Sequence, residues 1–197
     1  MASRHSTLLD EIERDALRSE LPVADVLRKV ITLGGKVGST ALRDWASREL
    51  RGYGGSGEDL PSYRKPTAVI QIDAINGSYQ ITGQQVSPSV FPEGIRDHIE
   101  EAVPLGQGIG EIEAMLRQAD NGGGTLKMTL PGAQDLARLW DREVGDPYQH
   151  VTAIYWSLSR SAIAGVIDQV RTTLVELAAE MRAGMPPQAN TPSGTVA

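Results

Sequence analysis

Leu8-Leu9-Asp10-Glu11-Ile12-Glu13-Arg14-Asp15-Ala16-Leu17, then Pro22-Val23-Ala24-Asp25-Val26-Leu27-Arg28-Lys29, then Leu42-Arg43-Asp44-Trp45-Ala46-Ser47-Arg48-Glu49-Leu50 are the runs that decide the fold. In each, apolar residues recur at steps of three and four, the signature of one buried helix face. Helix one is predicted from about Ser6 to Arg18, capped by Ser6 or Thr7, with carboxylates in its early turns where the helix dipole favours them. Pro22 suits the first turn of helix two. Val23, Val26, Leu27, Val30, Ile31 and Leu33 form its stripe, and Gly34-Gly35 is expected to end it. Ser39 or Thr40 caps helix three, with Leu42, Trp45, Ala46, Leu50 and Tyr53 inward. Short connections imply antiparallel or steeply crossing neighbours.

Beyond this block the period changes. Glycine and proline density makes Gly52 to Lys65 a loop. Ala68, Ile70, Ile72 and Ala74 then alternate with Val69, Gln71 and Asp73 as a strand. Asn76-Gly77 predicts a tight hairpin turn, with Tyr79, Ile81 and Gly83 on the return strand. A lone hairpin is marginal, and Leu126, Met128 and Leu130 offer it a third strand. Further helices are predicted from Pro92 to about Ala102, from Gly110 to about Ala119, and after Pro131 with Leu136, Leu139 and Trp140 inward.

From Tyr148 to Arg182, apolar residues at Val151, Ile154, Tyr155, Leu158, Ala162, Val166, Val170, Leu174, Leu177 and Met181 predict one helix of roughly 50 Å. Such a helix is long enough to project and pair. From Met185 the composition is that of a disordered tail or linker. The fold class is therefore α+β and mostly helical: an N-terminal three-helix block, a small antiparallel sheet with a hairpin, and a long C-terminal helix. One domain is expected over residues 1–183, with the helical block at about 6–53, a mixed part at about 66–143, the long helix at about 148–182, and a tail at 184–197.

Composition narrows the function classes. The chain has 197 residues, a net charge of −6 and no cysteine. Disulfides, thiol nucleophiles and thiolate zinc sites are thereby excluded. The acidic balance disfavours general nucleic-acid binding, which needs a basic face. No run reaches the ~18 apolar residues of a membrane span, and the N-terminus lacks the apolar centre of a secretory signal. A cytoplasmic setting is the expected one.

The motifs favour structural readings. Gly34-Gly35-Lys36-Val37-Gly38-Ser39 has its lysine ahead of the glycine-serine pair and a helix upstream, so a helix stop and a serine cap explain it better than a phosphate loop. Gly106-Gln107-Gly108-Ile109-Gly110 follows no strand and precedes Glu111 and Glu113, which would repel a pyrophosphate. His5, His98 and His150 lie in separate elements, and His98 with Glu101 reads as a surface pair rather than a metal site. Ser56 lacks the strand and glycine spacing of a nucleophile elbow. Trp45, Trp140 and Trp156 sit in apolar stripes, as core or as interface anchors. No catalytic, cofactor-binding or metal-ligating residue is nominated.

Leu8 to Leu17, Ala24 to Lys29 and Trp45-Ala46-Ser47-Arg48-Glu49-Leu50-Arg51-Gly52-Tyr53, with Leu60-Pro61-Ser62-Tyr63-Arg64 and Ile70 to Gly77, resemble the AbiTii domain of bacterial abortive-infection proteins, over residues up to about 183. The resemblance implies a part in anti-phage defence, in which infected cells die or stop growing, and it brings no catalytic residues. The first expectation is a module that works through a protein partner or self-association, with a phage-encoded trigger. The second is an enzyme or toxin acting on nucleotide or nucleic acid, its site gathered around Tyr63, Arg64, Asp73 and His98. Sensing of a phage protein is a third.

Overall fold

A computed structural model describes residues 7–54, 60–91, 96 and 99–184. The expected α+β, mostly helical architecture is present. Helices α1 (Leu8–Ala16), α2 (Val23–Val37) and α3 (Thr40–Arg51) form the N-terminal block. Strands β1 (Val69–Asn76) and β2 (Tyr79–Gln85) form the hairpin. Helix α4 (Ile109–Asn121), strand β3 (Thr125–Thr129), helix α5 (Ala133–Val144), strand β4 (Gln149–Ser159) and helix α6 (Arg160–Ala183) follow. The four strands make one antiparallel sheet in the order β2-β1-β4-β3.

The local chemistry of the helix starts is as the sequence implies. Thr7 and Asp10 form a reciprocal capping box on α1, and Ser39 Oγ accepts from Leu42 N at 3.3 Å on α3. Pro22 leaves α2 without a side-chain cap of its own. Glu113 of α4 supplies one, accepting from Val23 N at 2.5 Å.

Three expectations are corrected. First, α2 does not stop at Gly34-Gly35; it runs to Val37 and ends at the left-handed Gly38. Gly34 serves close packing instead, since a Cβ there would lie 3.2 Å from Arg43 N and Ser39 O. Second, the hairpin turns on Gly77 and Ser78, with positive φ at Gly77 alone, glycine first as a II′ turn requires. Third, residues 148–182 are not one helix. Residues 149–159 are β4, the strand between β1 and β3, and α6 is the 24-residue remainder, about 36 Å long. The helix expected from Pro92 falls largely outside the described residues. Its end is not helical, because Ala102 bridges Thr67 in antiparallel fashion. The tail at 185–197 also lies outside them.

Helix α6 joins two hydrophobic cores. Its first turns put Ile163 and Val166 under the sheet, with Ile70, Ile72, Ile154, Trp156 and Leu158. Its later turns put Val170, Leu174 and Ala178 into the helical block, against Leu9, Ile12, Leu27 and Val30. Most of the stripe that suggested a projecting, pairing helix is thus buried within the chain, with Leu177 and Met181 half-buried. Polar ties fix the docking. Arg171 donates to Ala16 O at 3.2 Å, Arg18 O at 2.8 Å and Leu21 O at 2.6 Å, taking up carbonyls where α1 ends. Arg182 pairs with Asp10 and Glu13 of α1. No helix among the described residues is long and apolar enough to cross a membrane.

Candidate functional site

Helix α3 carries Glu49 one turn beyond Ala46, on its buried side, and both are fully buried. A bare carboxylate there would be prohibitively costly unless paired and hydrogen-bonded. Arg64, at the end of the 3-10 turn Ser62–Arg64, is equally buried and supplies the pairing. Its Nη2 donates to Glu49 Oε2. Its Nη1 donates to Gln107 O at 2.7 Å, and its guanidinium lies 5.3 Å from the Tyr53 ring centre. The hydroxyls of Tyr53 and Tyr63 both donate to Glu49 Oε1.

Backbone contacts draw residues 103–108 onto this cluster. Leu105 N donates to Arg64 O, and Tyr53 N to Gly106 O, each at 2.8 Å. Gly52 and Gln107 form a β-bridge. The approach is so close that a Cβ on Gly52 would lie 2.5 Å from Gly106 O, and one on Gly108 would collide with Leu50 O. The cluster therefore fastens the end of α3 to the segment that leads into α4.

Burial, reinforced by the Glu49 carboxylate, pushes the Tyr63 phenol up to about 12 and that of Tyr53 higher still. Both phenols are protonated donors at neutral pH, and neither is poised as a base. The native state holds these protons where the unfolded chain, titrating near 10, releases them. This contribution to stability is whole below pH 10 and is lost as pH rises towards 12 and beyond. Unfolding midpoints measured from pH 9 to 12 are expected to fall, and the double variant Tyr53→Phe/Tyr63→Phe to fall less steeply.

A second polar group lies on the sheet face turned away from the core. Asp73 Oδ1 accepts from Gly83 N at 2.7 Å and from Tyr155 Oη at 2.8 Å, and Lys127 Nζ is 3.1 Å from Asp73 Oδ2. Lys127 also sits 4.1 Å from the centre of the Tyr155 ring. Burial opposes the Asp73 charge, but the donors from Gly83, Tyr155 and Lys127 together hold its carboxyl below the usual range. This group ties all four strands across the bulged part of the hairpin.

The residues singled out for a nucleotide site do not converge. Tyr63 and Arg64 belong to the Glu49 cluster, Asp73 to the sheet group, and His98 lies outside the described residues, as does Ser56. Glu49 escaped notice as a site residue, although its spacing from Leu42, Ala46 and Tyr53 places a charge on an apolar stripe, a mark of a buried partner. Among the described residues, no group of histidines and carboxylates could hold a metal ion.

Two of the grooves on the surface of the described residues lie beside helices α3, α5 and α6. One, of about 460 Å³, is bordered by Ala102 and Pro104, the start of α5 with Leu136 and Leu139, and Trp156 of the sheet. The other, of about 480 Å³, lies between α3 and the second half of α6. Both linings are mainly apolar.

No curated protein and no solved structure matches the chain. The AbiTii family pattern matches residues 7–195, beyond the 183 at which the resemblance was expected to end. It therefore takes in both cores, the Glu49–Arg64 cluster and the helix that joins them, and the chain belongs to the AbiTii family of bacterial abortive-infection defence.

Proposed function

We propose that the chain serves abortive infection as a protein-docking module, and that its partner enters the groove beside Trp156. The observation that supports this reading is the contrast between its polar and apolar groups. The charged pair Glu49 and Arg64 is sealed inside and holds the scaffold. The groove beside Trp156 is open to solvent and apolar, formed by Leu130, Pro131, Leu136 and Leu139 facing Ile99 and Pro104. Its rim carries Glu100 and Asp135, the latter paired with Arg138 at 3.3 Å. An apolar peptide segment is the occupant that such a lining accepts.

Leu139→Glu places a charge in this half-buried lining without touching either polar cluster. In a host where the wild-type chain protects against phage, plating on cells with this variant is expected to return towards the unprotected level. The melting temperature should stay within a few degrees of wild type. Full protection by a folded Leu139→Glu protein would refute the reading.

A further inference from the structure

We propose that the groove between α3 and α6 is occupied by the chain's own residues 185–195. Helices α3 and α6 both rest on α2, and the groove they leave is lined by Ala41, Leu42 and Trp45 on one side and Thr173, Leu177 and Met181 on the other. Beneath it, Leu42, Leu177 and Met181 meet Leu9, Ile12 and Val30 of the block's core. An aqueous opening onto a hydrophobic core costs stability until apolar surface covers it.

The position and composition of the following residues fit them to this place. Helix α6 ends at Ala183 and is capped at Gly184, one turn past Glu180 and Met181, so the chain leaves α6 at the end of the groove. From Thr173 to Met181 the groove extends about 12 Å along the helix, at 1.5 Å per residue. The residues from 185 to 195 reach about 34 Å at the 3.1 Å rise of a polyproline helix, enough to turn and run back along it.

They read Met185-Pro186-Pro187-Gln188-Ala189-Asn190-Thr191-Pro192-Ser193-Gly194-Thr195, without one charged side chain in a sequence that is 22% charged. Nothing in them pays a desolvation penalty for a charge on entering a groove whose only charged lining residue, among the described residues, is Glu180. Prolines restrict the free segment, which lowers the entropy lost on docking, and proline against tryptophan is the contact by which polyproline segments are bound. The family pattern also continues through residue 195, past the last described helix. The segment is tethered at the groove, so an effective concentration near a millimolar lets even a weak contact form. The inference concerns a different surface from the partner groove beside Trp156, and either can fail without the other.

The absence of cysteine gives a clean test in the full chain. Thr191→Cys creates a single thiol, which is labelled with bimane, a fluorophore quenched on contact with tryptophan. At an effective concentration and a dissociation constant both about a millimolar, the contact is about half occupied, so removing the quencher with Trp45→Phe should raise emission about twofold. Leu177→Glu, which charges the opposite wall, should raise it as well and covers the case in which Trp45→Phe does not fold. The quenching should be the same at all protein concentrations. Emission unchanged by either folded variant overturns the proposal. Quenching that disappears on dilution also overturns it, because the occupant is then a second copy.

Discussion

Arg64→Ala is expected to cost about 3–5 kcal/mol, the penalty for breaking a buried ion pair from one side. The variant keeps Glu49 in a site with no exposure and removes its cationic partner. It also strips Gln107 O of a 2.7 Å hydrogen bond. A domain of this size carries about 5–15 kcal/mol in total, so the loss is a large share. At about 2–4 °C per kcal/mol, the melting temperature should fall by roughly 10 °C. Arg182→Ala is the matched control. Arg182 pairs with two carboxylates, but all three side chains are about a third or more exposed. Solvent-screened pairs contribute about 0–1 kcal/mol, so that melting temperature should move by a few degrees at most. Thermal melts of both variants check the contrast. Equal shifts would mean that the burial of the Glu49–Arg64 pair has been misjudged.

Gly52→Ala is expected to cost about 2–5 kcal/mol, from two sources that add. The residue has φ of +96°, where an L side chain is strained. Its new Cβ would also meet the Gly106 carbonyl oxygen at 2.5 Å, and that oxygen belongs to backbone already fixed by the 2.8 Å bond from Tyr53 N. Gly38→Ala isolates the first source. Gly38 has φ of +71° with open space around it, and its replacement should cost only about 1–2 kcal/mol. Denaturant midpoints separate the two. A Gly38→Ala loss as large as that of Gly52→Ala would show that the close approach of residues 106–108 contributes nothing.

The helical block was legible because its caps and its spacing agree: Thr7, Ser39 and the α1 stripe each point to the same boundaries. Strand β4 was not legible, for a reason specific to its place. It is buried on both faces over Ile154, Tyr155, Trp156, Ser157 and Leu158, so the alternation that marks β1, its equally inner neighbour, is missing. An irregularity adds to the disguise. Ala74 faces Val151 while the preceding Asp73 faces Ala153, so an extra residue enters β4 at Thr152. Val151 and Ile154 are therefore buried three residues apart, a helical interval produced by a bulge.

The polar cluster was half legible. Tyr63 and Arg64 stood out as chemistry-bearing residues, and Glu49 was visible only as part of a helix pattern. Their meeting depends on pairings between residues as far apart as Arg64 and Gln107, and no local period encodes such distance. Asp73 looked equivalent to them in sequence, and the sheet places it in a different network. The glycines at Gly52, Gly106 and Gly108 read as loop, yet all three are sites where backbone meets backbone.

In this fold, Glu49 and Arg64 are part of the fastening between α3 and the chain leading to α4, and the proposed reading assigns partner docking to the surface. The most direct test is phage plating on cells that carry Tyr53→Phe/Tyr63→Phe. This variant removes two hydroxyls from Glu49 and keeps the rings, the Arg64 pair and both grooves. Provided that the purified variant melts as a folded protein, protection should equal that of the wild type. A folded variant that no longer protects would contradict a structural role and would make the Glu49–Arg64 cluster part of the chemistry of defence.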